Sequence, residues 1–205
     1  IPGYGIVDSV VVDKDTIAFG SFESVVKIWT KTSNGAWQNT ARLAGHNEAV
    51  RCIGVINSRT LVTGSDDSSI KIWTKADNGT WGEGATLNGH EDGIQNLFVF
   101  NENTFLSAST DNSSRIWEKA DNGSWINTYT LLGHSFYVDS AIMLDENTIV
   151  SSSWDDTMRL WTKDGFSWTS EILSDQIKSF SSLAVIDENT FVYKGLERDM
   201  KIWSR

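Results

Sequence analysis

The chain has 205 residues, of which 40% are hydrophobic and 21% are charged, a composition ordinary for a soluble globular fold of one or two domains. Its formal net charge of −10, without any basic cluster, argues against nucleic acid or an anionic membrane as the main partner, because both attract clustered Lys and Arg. No apolar run approaches the roughly 18 residues that a membrane span needs.

Two local features suggest where the protein resides. The first residues, Ile1-Pro2-Gly3-Tyr4, lack the basic flank and the apolar stretch of a secretion signal. The single cysteine, Cys52, excludes an internal disulfide and favours a small buried residue over a nucleophile. We therefore expect a reducing compartment, the cytoplasm in the first place and the nucleus as the alternative.

A repeat of about 44 residues runs along the whole chain. Five tryptophans end similar short segments, at steps of 44, 44, 44 and 42 residues: Trp29, Trp73, Trp117, Trp161 and Trp203. The dipeptide Gly-His recurs at the same period, at Gly45-His46, Gly89-His90 and Gly133-His134. These offsets predict one domain, residues 1–205, made of five repeats at approximately 5–46, 47–90, 91–134, 135–175 and 176–205.

Each repeat has the pattern of strands rather than of helices. In the second repeat, Ile70–Trp73 alternates with period two, and β-branched residues dominate Val50–Val55. We predict four strands in this repeat, at about Ala49–Val55, Thr60–Gly64, Ser69–Thr74 and Trp81–Leu87. One such meander cannot bury its apolar face alone, so neighbouring repeats must stack.

Short turn sequences separate the strands. Asn34-Gly35, Asn78-Gly79 and Asn122-Gly123 lie between two strand-like segments, and Asp164-Gly165 takes this place in the fourth repeat. Asn-Gly is the strongest short hairpin signal, because both residues tolerate positive φ in a type I′ turn. We therefore predict type I′ hairpins between the third and fourth strands.

The repeat resembles that of the WD-repeat β-propeller family, and the likeness covers the whole chain. The family pattern has Gly-His, then Ser or Thr, then Asp four residues later and Trp six residues after that. Three repeats hold the complete set, namely His46, Thr63, Asp67 and Trp73; His90, Ser107, Asp111 and Trp117; and His134, Ser151, Asp155 and Trp161. The resemblance implies that each set forms one buried hydrogen-bonded network, in which every polar group is paired.

The chain departs from the family pattern in two ways. The Asp that follows Trp in the family name is replaced by other residues: Thr30, Thr74, Glu118, Thr162 and Ser204. The outer repeats also lack the buried set, with Pro2, Phe19 and Glu23 in the first repeat and Gln176, Tyr193 and Glu197 in the fifth. Atypical end repeats are expected in a stacked array.

The resemblance implies an all-β fold, a β-propeller of five four-stranded WD-type blades whose last blade lacks its own fourth strand. Only Ser204 and Arg205 follow Trp203, whereas fourteen residues carry the chain from Trp73 to the end of its outer strand. Because the family most often has seven blades, we expect a portion of a larger propeller, with a compact five-bladed ring as the alternative. The last blade would then pair its edge with a further chain segment or with another subunit.

Neither catalysis nor a cofactor is expected. The resemblance gives all three histidines structural positions, which leaves none for a catalytic triad or a zinc site. No glycine-rich phosphate loop precedes a helix. Asp66-Asp67 and Asp155-Asp156 are adjacent carboxylate pairs, but Asp67 and Asp155 occupy the turn position of the family, and we expect their neighbours to be solvated.

The remaining functional candidates lie on the surface. By resemblance, the residue before each turn Asp points to one rim, and the residue five after each His lines the mouth of the central channel: Asp66, Thr110 and Trp154, and Arg51, Gln95 and Asp139. Phe136 and Tyr137 belong to the same repeat as Trp154. We expect them either to join Trp154 in binding a partner or to pack between blades. We expect a scaffold that binds a protein or peptide, with basic residues favoured by the acidic charge. The alternative is a carbohydrate-binding propeller that uses its many tryptophans for sugar stacking. Nine of the ten recur at repeat positions, which favours packing within the blades, and Trp154 is the exception.

Overall fold

The computed structural model describes residues 5–174, 182–194 and 200–205. This part of the chain consists of strands joined by turns, and it contains no helix, so the expected all-β class is confirmed. The described ranges therefore contain no helix that could cross a membrane.

The strands form five separate antiparallel sheets in chain order. Sheet one contains β1 (Ile6–Asp13), β2 (Thr16–Ser21), β3 (Val25–Lys31) and β4 (Trp37–Ala44). Sheet two contains β5 (Val50–Asn57), β6 (Thr60–Ser65), β7 (Ile70–Lys75) and β8 (Trp81–Leu87). Sheet three contains β9 (Ile94–Asn101), β10 (Thr104–Ser109), β11 (Ser113–Lys119) and β12 (Trp125–Leu132).

The last two sheets differ in strand number. Sheet four contains β13 (Val138–Asp145), β14 (Thr148–Ser153), β15 (Met158–Asp164) and β16 (Ser167–Ser174). Sheet five contains β17 (Leu183–Asp187), β18 (Thr190–Lys194) and β19 (Met200–Ser204), with β19 at one edge. The expected lack of a fourth strand in the last sheet is thus seen among the described residues.

Each sheet is a meander, and consecutive sheets pack face to face in chain order. The face of sheet one that contains Val26 and Ile28 packs against Ile53, Leu61 and Trp73 of sheet two. We call the face that meets the next sheet the forward face and the face that meets the preceding sheet the backward face. The same repeat positions fill the clusters at the other junctions, so the core is a series of similar layers.

The predicted strands of the second repeat agree with the structure to within two residues. The predicted type I′ hairpins are wrong. Gly79 has a φ of +85°, but Asn78 is not among the residues with positive φ. The Ala76 N–H donates to the Thr80 carbonyl, which closes a three-residue loop. Within this loop the Gly79 N–H donates to the Ala76 carbonyl. The loop is therefore a type I turn followed by a left-handed glycine.

The same arrangement recurs at Gly35 and Gly123, whereas the fourth repeat has a shorter connection. There Asp164 pairs directly with Ser167, which leaves a two-residue loop of Gly165 and Phe166. The Asn side chain explains the longer loop, because Asn78 Oδ1 accepts hydrogen bonds from the Thr80 N–H and hydroxyl. This Asx contact stabilises the three-residue loop without a left-handed asparagine.

Candidate functional site

The three expected side-chain sets come together inside sheets two, three and four. In sheet three, the His90 ring lies between Asp111 and Ser107, with Nδ1 2.7 Å from Asp111 Oδ2 and Nε2 2.7 Å from the Ser107 hydroxyl. Trp117 Nε1 donates to the same hydroxyl at 2.9 Å. The corresponding contacts of the other two sets are 2.8 to 3.0 Å for His46, Thr63, Asp67 and Trp73 and 2.7 to 2.9 Å for His134, Ser151, Asp155 and Trp161.

The direction of the protons follows from the ionised Asp111 carboxylate, which can only accept. His90 Nδ1 therefore carries the proton that is donated to Asp111. Because burial keeps the His90 ring neutral, Nε2 accepts from the Ser107 hydroxyl, whose oxygen accepts from Trp117 Nε1. Each network therefore holds a neutral imidazole in one tautomer, with every polar group paired.

The titration behaviour of these groups agrees with this arrangement. Burial lowers the pKa of His90 below its ordinary 6.5, against the opposing effect of Asp111, and His46 and His134 shift in the same direction. Burial alone would raise the pKa of Asp67, but hydrogen bonds from the Ser69 hydroxyl and two backbone N–H groups lower it to about 2. The folded state therefore keeps neutral histidine next to ionised aspartate.

A fifth member of each network was not predicted from the sequence. The Ser113 hydroxyl donates to Asp111 Oδ1 at 2.6 Å and lies 3.3 Å from His90 Nδ1. Equivalent hydroxyls occur two residues after the other two aspartates, at Ser69 and Thr157. The signal was present in the sequence, since a hydroxyl residue follows each turn Asp at this offset in all three repeats.

The turn between the second and third strands explains how the carboxylate reaches this position. Ser68, Asn112 and Asp156 have φ values of 62°, 68° and 63°, in the left-handed region. This conformation turns the chain so that the preceding Asp side chain accepts from the N–H two residues later, as Asp111 does from Ser113 at 2.9 Å. Asn and Asp tolerate this conformation better than most residues.

The outer repeats have different contacts at these positions. Phe19 replaces the hydroxyl and lies beside Trp29 in an apolar cavity of about 300 Å³. Glu23 lies at the surface, where the Lys27 ammonium approaches its carboxylate to 2.7 Å. In the fifth repeat Tyr193 packs against Phe191, whose ring stacks on Trp203. The other departing residues lie outside the described residues: Pro2, Gln176 and Glu197.

The rim positions expected before each turn Asp share one backbone contact. Each N–H donates to a carbonyl 17 residues earlier, as Trp154 does to Tyr137 at 2.9 Å and Thr110 to Gly93 at 2.9 Å. Asp66 makes the same bond to Ala49. Phe22 makes it to Gly5, so Phe22 is the fourth member of this series, and the sequence analysis missed it. Its 44-residue spacing from Asp66 could have identified it.

Three aromatic side chains lie together at the rim of sheet four. The Phe136 and Tyr137 rings stack with centroids 4.2 Å apart, and the Tyr137 and Trp154 centroids are 6.2 Å apart. Phe136 is 43% exposed and Trp154 is 38% exposed, whereas Tyr137 is half-buried. We call Phe136, Tyr137 and Trp154 the aromatic rim patch.

Asp139 is half-buried next to Trp154 of this patch rather than in open solvent. Burial raises the pKa of Asp139, and a hydrogen bond from the Trp154 side chain opposes that shift. Asp156, two residues after Trp154, is exposed. The patch thus has one half-buried acid that holds its tryptophan and one acid at the surface.

The other rim candidates are distributed over sheets two and three. The Arg51 guanidinium donates to both carboxylate oxygens of Asp66 at 2.8 to 2.9 Å and lies 5.2 Å from the centre of the Phe22 ring. Asp66 is therefore half-buried and paired with Arg51 rather than fully solvated. The Thr110 hydroxyl donates to the Gly93 carbonyl. Gln95, in β9, is half-buried.

Other chemistry has little support in the described part of the chain. No group of three or more His, Cys, Asp or Glu side chains there could hold a metal ion. Cys52 is buried, and its burial raises the pKa of its thiol, which disfavours the nucleophilic thiolate.

The chain matches one family model and is similar to solved structures. The family model described as WD domain, G-beta repeat matches residues 37–74, 81–118 and 125–162. Three solved structures are similar, each over 98% of this chain: the WD40 β-propeller domain of Doa1 (24% identity, TM-score 0.78), U3-55K (21%, 0.78) and the WD40 repeats of RRP9 (22%, 0.79). No curated protein matches.

The chain spans only part of each of these solved structures. The chain covers 64%, 62% and 61% of the three solved structures, which is less than two thirds of each. At these identities the likeness shows the fold, and the five sheets correspond to blades of a WD-type propeller.

Proposed function

Because the chain belongs to the WD domain, G-beta repeat family, we propose that it is a non-catalytic scaffold that binds a protein or peptide partner at the rim of its propeller. The binding element is the aromatic rim patch of sheet four, and the preferred ligand is a peptide segment that contains Lys or Arg. The cytoplasm is the proposed location.

The observation that carries this proposal is the position of the aromatic residues in the repeat. Phe136, Tyr137 and Trp154 align with Glu48, Ala49 and Asp66 in the second repeat and with Asp92, Gly93 and Thr110 in the third. The fold therefore does not require aromatic side chains at these positions. A cluster of exposed aromatic rings that the fold does not need is typical of a binding hot spot.

Charge supports a basic ligand. Asp139 accepts a hydrogen bond from the Trp154 side chain, Asp156 two residues after Trp154 is exposed, and the whole chain has a net charge of −10. A Lys ammonium or Arg guanidinium over the Trp154 ring would gain a cation–π interaction while approaching these carboxylates. At the rim of sheet two, by contrast, Arg51 and Asp66 already neutralise each other.

Peptide binding to the purified chain tests the proposal directly. Peptides with several Lys or Arg residues are compared with otherwise identical peptides in which these are Glu, by fluorescence anisotropy. Trp154→Ala should weaken binding of the basic peptides at least about tenfold, the equivalent of 1.4 kcal/mol. Asp139→Asn keeps an acceptor for the indole but removes the charge, and should weaken binding to a smaller extent.

Phe166→Ala is the matched control, because Phe166 is 96% exposed and lies beyond the other end of β15. It should bind like the unmodified chain. Undiminished peptide binding by a folded Trp154→Ala variant would refute the site. Binding on a glycan array that Trp154→Ala abolishes, without peptide binding, would instead favour the carbohydrate-binding alternative.

A further inference from the structure

The sequence contains four Asn-Gly pairs, and their surroundings in the fold differ. Three lie in the hairpin loops, and the fourth lies in the linker between β8 and β9: Asn34-Gly35, Asn78-Gly79, Asn122-Gly123 and Asn88-Gly89. Asparagine is thermolabile, and most so before glycine, which has no side chain to shield its own nitrogen from the neighbouring amide carbon. Deamidation begins when the glycine nitrogen reaches the asparagine Cγ.

Hydrogen bonds hold both reacting groups in the hairpin loops. Asn78 Oδ1 accepts from the Thr80 N–H at 3.0 Å, and the Gly79 N–H donates to the Ala76 carbonyl at 2.9 Å. The same two contacts recur in the other loops, at Asn34 and Gly35 and at Asn122 and Gly123. Ring closure has to break these bonds, so the fold protects these three pairs.

Asn88 and Gly89 lack these restraints. Both residues are exposed. Within the described ranges the Asn88 side chain makes no hydrogen bond and the Gly89 N–H donates none. The fold does not require an amide here, since Ala44 and Leu132 precede the Gly-His dipeptide in the repeats on either side.

A guanidinium group lies beside this pair. Arg115 belongs to β11 on the backward face of sheet three, and a methyl group at Gly89 would be 2.8 Å from its Nη1. The guanidinium therefore lies against the Gly89 main chain. A positive charge there stabilises the negative charge that develops on the glycine nitrogen and on the amide oxygen during ring closure.

No carboxylate neutralises Arg115 in the described part of the chain. Its Nη1 donates to the Asn127 amide oxygen at 3.2 Å, and its Nε is buried without a partner. At the same repeat position in sheet two, by contrast, the Lys71 ammonium is 2.8 Å from the Glu83 carboxylate. The charge of Arg115 is therefore available to the linker.

We propose that Asn88 is a site of intramolecular deamidation that Arg115 promotes. The Gly89 nitrogen gives its proton to hydroxide and forms a bond to Asn88 Cγ, whose oxygen takes up the negative charge. The Cγ–Nδ2 bond then breaks, and the side-chain nitrogen takes a proton from water and leaves as ammonia. Water opens the resulting succinimide at either carbonyl, which leaves aspartate or isoaspartate at position 88. The net reaction consumes one water and releases one ammonia.

The product changes the linker that leads into the His90 network. Either product adds one negative charge to a chain that already has a net charge of −10. Isoaspartate also lengthens the main chain by one carbon just before Gly89 and His90, so it should weaken the contact between His90 and Asp111. The reaction involves neither the aromatic rim patch nor a bound partner, and it is therefore independent of the proposed peptide binding.

Incubation of the purified chain at pH 7.5 in ¹⁸O-labelled water tests the proposal. Tandem mass spectrometry of its peptides locates each converted asparagine, because every new carboxyl takes one oxygen from the solvent. In the folded chain Asn88 should convert at least about tenfold faster than Asn34, Asn78 or Asn122. In urea, which removes the protecting hydrogen bonds, the four rates should become similar. Equal rates in the folded chain, or conversion mainly in the hairpin loops, would overturn the proposal.

Substitutions of Arg115 test its part in the reaction. Arg115→Gln should slow the conversion of Asn88 about fivefold, whereas Arg115→Lys, which keeps the charge, should retain most of the rate. Arg159→Gln is the matched control and should leave the rate unchanged, because Arg159 has the same repeat position in sheet four and lies beside Gly133. Continued protection of the hairpin loops shows that each variant is folded. An unchanged rate at Asn88 in folded Arg115→Gln would refute the role of the guanidinium.

Discussion

The inner sheets, two to four, and the outer sheets, one and five, have different side chains at the same repeat positions. In sheet three, Ser107 accepts from Trp117, and His90 connects that hydroxyl to Asp111. In sheet one, Phe19 occupies the hydroxyl position and the acidic residue, Glu23, lies at the surface with Lys27. The inner sheets bury a complete polar network, whereas sheet one has the half-buried Phe19 ring at the hydroxyl position.

This difference shows that the network residues are replaced together. A buried hydroxyl without its histidine would leave unsatisfied hydrogen-bonding groups, at a cost of about 1–3 kcal/mol for each group. Phe19 has no hydroxyl to satisfy and lines a cavity with Trp29, and Tyr193 packs its ring against Phe191.

The largest expected effect concerns the third-strand tryptophans. Trp117 is 2% exposed between sheets two and three, so Trp117→Ala should lower the free energy of unfolding by about 3–5 kcal/mol. Trp29 is half-buried and lines an apolar cavity with Phe19, so Trp29→Ala should cost clearly less. Urea denaturation at low protein concentration measures both. Equal losses would mean that the inner and outer sheets do not differ in this way.

Removing the network carboxylate should have the next largest effect. Asp111→Ala leaves His90 Nδ1 and the Ser113 hydroxyl without their acceptor, so it should cost about 1–3 kcal/mol of unfolding free energy. Glu23→Ala in sheet one should leave the urea midpoint unchanged, because that carboxylate is at the surface. An unchanged midpoint for Asp111→Ala would contradict the network.

Acid should destabilise the inner sheets in two stages. The unfolded chain binds protons at histidine near pH 6.5, but the folded histidines bind them only at lower pH, so stability is present above pH 6.5 and is lost below it. Each histidine contributes at most about 1.4 kcal/mol per pH unit. Asp67 and Asp155, with pKa values of about 2, add a second loss between about pH 4 and pH 2.

Urea denaturation at pH 7.5, 6.5 and 5.5 checks the first stage. The free energy of unfolding should decrease over this series, and His90→Gln should make the decrease shallower because one titrating group is removed. A free energy of unfolding that does not change between pH 7.5 and pH 5.5 would contradict buried neutral histidines.

The smallest effect should be the same in inner and outer sheets. Gly35 in sheet one and Gly79 in sheet two have φ values of +84° and +85° with open space around them, so alanine is disfavoured only by its backbone conformation. Gly35→Ala and Gly79→Ala should each cost about 1 kcal/mol. Gly82→Ala is the control, since Gly82 also has open space but no positive φ. Unequal losses at Gly35 and Gly79 would extend the difference between sheets to their hairpins.

Much of the fold could be predicted because the same pattern of residues recurs in each repeat. The spacing of tryptophans and Gly-His dipeptides located the sheets, and period-two alternation located the strands to within two residues in the second repeat. The hairpin type could not be predicted, because it depends on whether Asn78 accepts from Thr80 or turns left-handed itself. That choice is made by local geometry rather than by residue type.

The residues of the candidate site could be predicted in part, but several of their contacts could not. The resemblance supplied four members of each network but not Ser113, whose hydroxyl contact with Asp111 depends on the left-handed residue between them. The stacking of Phe136 on Tyr137 and the pairing of Arg51 with Asp66 depend on side-chain orientation at loops. Sequence spacing does not determine such contacts.

The central claim is that three neutral histidines with their proton on Nδ1 connect the hydroxyl and carboxylate of the inner sheets. Two-dimensional ¹H–¹⁵N spectra of the histidine side chains measure this directly. At pH 7, His46, His90 and His134 should all show a neutral ring protonated at Nδ1, and they should remain neutral below pH 6.5. Rings protonated at Nε2, or titration with an ordinary pKa of 6.5, would contradict it.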